Sequence, residues 1–113
     1  MAAFRLDATS GVSSDRLAEF IEGDVDSDIQ SVPGIGPANA AKLAAAGTTN
    51  THQLLGHFLT LKATDFSSQE HCDAFWFWLK QQGVNSSRSS IVLCIAEKAN
   101  MMMPGTFDAD DCE

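Results

Sequence analysis

Residues Ser31 to Leu43 read SVPGIGPANAAKL: two glycines two apart, then a proline opening an alanine-rich run. These residue types at this spacing can hold an anion. Glycine at positions 34 and 36 permits a tight turn with unusual backbone angles, and leaves no Cβ to keep a phosphate away from the amides. Pro37 suits the first position of a helix, whose free N–H groups and partial positive end then point at the same place. The amides of Gly34, Gly36 and Ala38 are the candidate donors, with Lys42 one turn on as a cationic support. Such contacts read the backbone of a nucleic acid and not its bases. The competing reading is a plain αα-hairpin turn, which also favours Pro and Gly.

The remaining chemistry-bearing residues do not assemble a catalytic or metal centre. Cys72, Cys94 and Cys112 are odd in number and far apart, without the Cys-x-x-Cys spacing of zinc or redox sites, and they fit a reducing intracellular compartment. His52 and His57 are five residues apart, a poor fit to one helical face, and His71 has no acidic partner in register. There is no Ser-His-Asp arrangement, Walker loop or carboxylate pair. A non-catalytic protein without cofactor or metal is expected.

A chain of 113 residues with 44% hydrophobic content suggests one domain with a real core. Its formal net charge is −8, unevenly spread. Two arginines face seven acids over residues 1–28, and residues 104–113 hold four acids and no base, whereas residues 29–103 carry a net +1. The acid therefore lies at the ends, which read as a flexible N-terminal tail, 1–13, and an acidic C-terminal tail, 104–113, around a helical domain at 14–103. No apolar stretch reaches the roughly 20 residues of a membrane span, and the N-terminus lacks the pattern of a secretory signal, so no membrane insertion is expected.

The elements that must position the turn are helices. RLAEFIE, residues 16 to 22, places Leu17, Phe20 and Ile21 on one face and closes at Gly23. Ile29 and Val32 occupy one more helical turn before the glycines, and the next helix runs from Pro37 to Gly47. Asn50 with Gln53, and Ser67 with Glu70, have capping-box spacing. The first opens a stripe of Leu54, Leu55, Phe58, Leu59 and Leu61, which Gly56 interrupts at a cost of about 1 kcal/mol, implying that another backbone or ring comes close there. The second opens a helix through CDAFWFWLKQQ. A last helix starts near Asn85 or Ser86, carries Ile91, Val92, Ile95 and Ala99, and stops before Pro104. The predicted fold is an all-α, compact single-domain bundle containing a helix-hairpin-helix motif.

VPGIGPANAAKLAAAG, LLGHFLTLK, FWFWLK and GVNSSR, in that order and spacing, make the chain resemble the barrier-to-autointegration factor family over roughly residues 16 to 100. The resemblance implies a homodimer of nucleus and cytoplasm that binds and bridges double-stranded DNA without sequence preference, with LEM-domain or lamin-like proteins as further partners. It implies phosphate contacts at Gly34, Gly36 and Lys42, within a hairpin set that includes Ile35, Ala38 and Asn39. A second contact region is implied at Ser86, Ser87 and Arg88, where the family's lysine is displaced by one residue. A dimer contact is implied around Leu55, Gly56, Leu59 and Trp78.

Departures from the family pattern bear on function too. Asp24, Asp26, Ser27 and Asp28 stand in place of basic residues, and the stretch between Lys62 and Phe75 is several residues longer. Trp76 and Phe77 replace charged residues, either thickening the core or forming an extra apolar contact face. The alternative function is a protein-interaction module of the same fold that has lost most of its DNA affinity.

Overall fold

The computed structural model describes residues 3–9 and 12–112, and among them five α-helices carry the fold. These are α1 (Ser14–Glu22), α2 (Pro37–Ala45), α3 (Thr51–Thr60), α4 (Ser68–Gln81) and α5 (Arg88–Met102), with single 3-10 turns at Leu6–Ala8, Ile29–Ser31 and Ala109–Asp111. The domain is all-α, as its periodicity predicts. Helix α5 lies at the centre and packs on α1, α3 and α4. It buries Ile91, Val92, Cys94, Ile95, Ala96 and Ala99. A helix enclosed by neighbours buries residues all round its axis, which is why α5 lacks a one-sided apolar stripe.

Side-chain caps set most helix starts. Ser13 Oγ accepts from Arg16 N at 3.1 Å, which begins α1 two residues before RLAEFIE. Ser67 and Glu70 form a reciprocal capping box with both arms at 3.1 Å. Asn50 Oδ1 accepts from Gln53 N at 2.8 Å, but Gln53 Oε1 reaches past Asn50 to Thr49 N at 2.7 Å, so the box is displaced by one residue. Helix α5 begins at Arg88 and not at Asn85 or Ser86, because Ser87 has φ 59° and a left-handed residue cannot extend a right-handed helix. At the far end of α1, Lys98 of α5 is buried and donates to the carbonyls of Ile21 and Gly23. A buried ammonium needs such acceptors, and a helix C-terminus supplies both carbonyls and negative potential.

Phe4 and Phe107 depart from the expectation of solvated ends: both are core residues, 0% and 4% exposed. Carboxylates anchor these flanking segments by accepting from backbone amides. Asp73 Oδ1 accepts from Ala3 N and Phe4 N at 3.1 and 2.8 Å, and Asp111 Oδ2 accepts from Ser68 N at 2.8 Å. Ser68 Oγ in turn accepts from Asp108 N at 3.0 Å. Residues 1, 2, 10, 11 and Glu113 of the expected tails lie outside the described residues.

Candidate nucleic-acid interface

The turn is closed by Ile35 N donating to Val32 O at 3.0 Å. Gly34 has φ 100°, and a Cβ built on it would stand 3.0 Å from Ile91 Cγ1 and 3.3 Å from Ser87 Cβ. Both conformation and packing therefore demand glycine there. Gly36 is different. It is the N-cap of α2 in extended backbone, with nothing within 4 Å of a would-be Cβ. Its missing side chain leaves the first turn of α2 open to solvent, where amides have no acceptor within the helix. Gly36 and Ala38 are exposed, as is Lys42 one turn on.

The close approach of Gly34 to Ser87 joins the two predicted contact regions. Asn39, buried in the first turn of α2, donates through Nδ2 to Gly34 O and to Ser86 Oγ, each at 3.4 Å. The stem of Lys42 passes Gly83, whose would-be Cβ lies 3.6 Å from Lys42 Cδ. Gly36, Ala38, Lys42, Ser86 and Ser87 thus share one exposed face. Two members of the predicted set stand behind it. The Ile35 side chain is buried and its N–H is used within the turn, and the Asn39 side chain is a brace between the two segments.

Arg88 is half-buried and engaged. Its Nη1 donates to Val84 O at 2.8 Å, its guanidinium carbon sits 4.2 Å from the centroid of the Trp76 ring, and Nε is buried without a partner. Lys80 Nζ lies 5.8 Å from the same ring. Trp76 is packed against the core and serves as a shelf for cations, a role that sequence reasoning missed because it appears only when the α4–α5 turn folds back. Phe77, its neighbour, is 51% exposed. A cleft of about 190 Å³ opens here between Ala8, Trp76 and residues 85–89. On the other side of the hairpin a cleft of about 360 Å³ is lined by Arg16, Glu19, Phe20, Asp24, Asp26, Ser31 and Pro33. This cleft brings Glu19, Asp24 and Asp26 together with Arg16.

The predicted dimer residues occupy the α3 and α4 side. Leu55 is buried within its own chain, while Gly56, Leu59 and Trp78 are half-buried. A Cβ on Gly56 would meet no atom within 4 Å, so the close approach expected at this glycine does not come from its own chain. The Trp78 ring stacks on His57 at 4.5 Å and on Phe75 at 5.7 Å. His71 is buried, with Nε2 2.6 Å from Phe58 O and its ring stacked on Phe58 at 3.9 Å. Burial pushes its pKa below the ordinary value. Burial also raises the thiol pKa values, to about 12 for Cys94, so the cysteines carry little nucleophilic thiolate. Among the described residues no group of three or more His, Cys, Asp or Glu is placed to hold a metal, and no helix is long and apolar enough to cross a membrane.

The fold is that of a small all-helical domain with a glycine turn leading into α2. The model of the barrier to autointegration factor family matches residues 11–102, and the chain belongs to that DNA-binding family. No curated protein and no solved structure matches the chain. The family match spans α1 through α5 and leaves out the docked segments at 3–9 and 103–112.

Proposed function

We propose that this protein binds double-stranded DNA without sequence preference and, as a homodimer, bridges two duplexes. The observation that carries the reading is the packing of Gly34 on Ser87, which sets the open first turn of α2, Lys42 and the start of α5 on a common face. Amides at Gly36 and Ala38 donate to phosphate oxygens, Ser86 and Ser87 add hydroxyls, and Lys42 supplies charge. None of these groups reads a base edge, so binding is indifferent to sequence. The net charge of −8 does not oppose this arrangement, because charges beyond about 8 Å are screened at physiological salt. Family membership supports the dimer, and the open space at Gly56 leaves room for a second copy. The same membership supports extending the proposal to a chromatin or nuclear-envelope organising role, with LEM-domain or lamin-like partners in nucleus and cytoplasm.

The test is a titration of random-sequence duplex DNA at two salt concentrations, with light scattering of the free protein. A shallow salt slope, about −0.9 per phosphate neutralised, is expected. Lys42→Glu should weaken binding to every sequence alike. Gly56→Glu, which places a charge in the dimer contact, should give monomers. Absence of duplex binding at low salt would replace this reading with the protein-interaction module, and a monomeric native protein would remove the bridging mechanism.

A further inference from the structure

We propose that Cys72 of α4 and Cys112 of the C-terminal flank form a reversible disulfide, closed by exchange with a small-molecule disulfide, which staples the flank to the bundle. Both cysteines are free thiols with no part in DNA binding, and Cys112 lies beyond the family match, which ends at residue 102. Two hydrogen bonds bring the flank to the start of α4. Asp111 Oδ2 accepts from Ser68 N at 2.8 Å, and Ser68 Oγ accepts from Asp108 N at 3.0 Å. Cys72 lies four residues after Ser68, one turn along the same face of the helix. Cys112 directly follows Asp111. Its N–H turns back to Ala109 O at 3.1 Å, and its Sγ donates to Asp108 O at 3.8 Å. The Cys112 side chain packs, half-buried, against the core to which the fully buried Cys72 belongs. There the two side chains hydrogen-bond to one another. Phe107, buried five residues earlier, anchors the other end of the same segment.

Difference in access divides the work between the two thiols. Cys112 is reachable from solvent and Cys72 is not. The Cys112 thiolate attacks one sulfur of the small disulfide, expels one thiolate and is left as a mixed disulfide. The Cys72 sulfur then attacks the Cys112 sulfur and expels the second thiolate, which takes up the proton that Cys72 gives up. Two protein thiols are oxidised by two electrons, and one small disulfide is reduced to two thiols. Burial, then the carboxylates of Asp111, Asp73 and Asp108, hold the Cys112 thiol up at about 11. The exchange is therefore slow at neutral pH, and the same carboxylates favour an uncharged disulfide over an anionic one. Cys94 is buried in α5 and stays reduced.

The experiment incubates the full chain with hydroxyethyl disulfide, blocks the remaining thiols with a maleimide and maps the cysteines by mass spectrometry. The expected product carries an intramolecular Cys72–Cys112 bond and no adduct, with Cys94 left as the free thiol. Because the bond closes a loop of roughly 40 residues, the melting temperature should rise by roughly 10 °C and return on adding dithiothreitol. Cys72→Ala should stop at the mixed disulfide on Cys112, whereas Cys112→Ser should leave Cys72 unmodified, with circular dichroism checking that each variant is folded. Cys94→Ser should cross-link as the native chain does. A native chain that keeps the adduct on Cys112, pairs Cys72 with Cys94, or cross-links only in denaturant overturns the proposal. A Cys72–Cys112 bond that leaves the melting temperature unchanged overturns the staple. None of these readouts involves a duplex, so the DNA-binding reading stands or falls separately.

Discussion

Gly34 and Gly36 are glycines for different physical reasons, and substitution separates them. Gly34→Ala meets a positive φ, Ile91 and Ser87 together, so it should cost about 2 kcal/mol or more in denaturant unfolding. Gly36→Ala meets open space in an ordinary conformation and loses only the weaker capping preference of alanine, about 1 kcal/mol or less. Its methyl would nevertheless stand over the free amides, so duplex affinity should fall while the fold survives. Equal stability of the two variants would contradict this division. His71 gives a second prediction at this scale. Its folded pKa is lowered by burial, so on acidification the unfolded chain takes up the proton first. Its contribution is complete above the unfolded value of about 6.5 and is lost as pH falls through the lowered folded value. Unfolding free energy measured between pH 7 and 5.5 should fall with pH, and His71→Asn should flatten that slope.

At the scale of elements, α4 does more than close the bundle. The stretch between Lys62 and Phe75 supplies the first turns of this helix, and those turns receive both flanking segments through Ser68, Gln69 and Asp73. Trimming residues 1–13 and 105–113 looks harmless from charge alone. The burial of Phe4 and Phe107 says otherwise: each truncation to alanine should cost about 3 kcal/mol, up to the limit set by undocking of its segment. A trimmed protein that melts at the native temperature would refute this. The contrast shows what the sequence could disclose. Helix starts at Ser67 and Asn50 are legible because cap and partner lie three residues apart. The role of Phe4 is not, because it is a lone aromatic without periodic neighbours whose anchor, Asp73, lies 69 residues away. The hairpin amides are legible from glycine spacing. Arg88 is visible as a cation, but its engagement with Trp76 and Val84 is a product of the fold.

For the whole molecule, the net charge of −8 says little about where the carboxylates are used. The described acids of the flanks serve local structure: Asp26 accepts from Asp28 N, Asp28 from Gln30 N and Asp108 from Asp110 N, each at 2.9 or 3.0 Å. These bonds hold carboxylates on turns and helix starts. The docking of both flanks on α4 has a mechanical consequence. Ser68 and Asp73 are separated by about 7.5 Å of helix axis, so the chain leaves and returns within a short stretch of one rod. Tension applied between its ends is borne first by the hydrogen bonds on the opening turns of α4. The hairpin and α2 lie outside that path, whereas the start of α5 lies on it through the bond from Arg5 N to Ser89 Oγ.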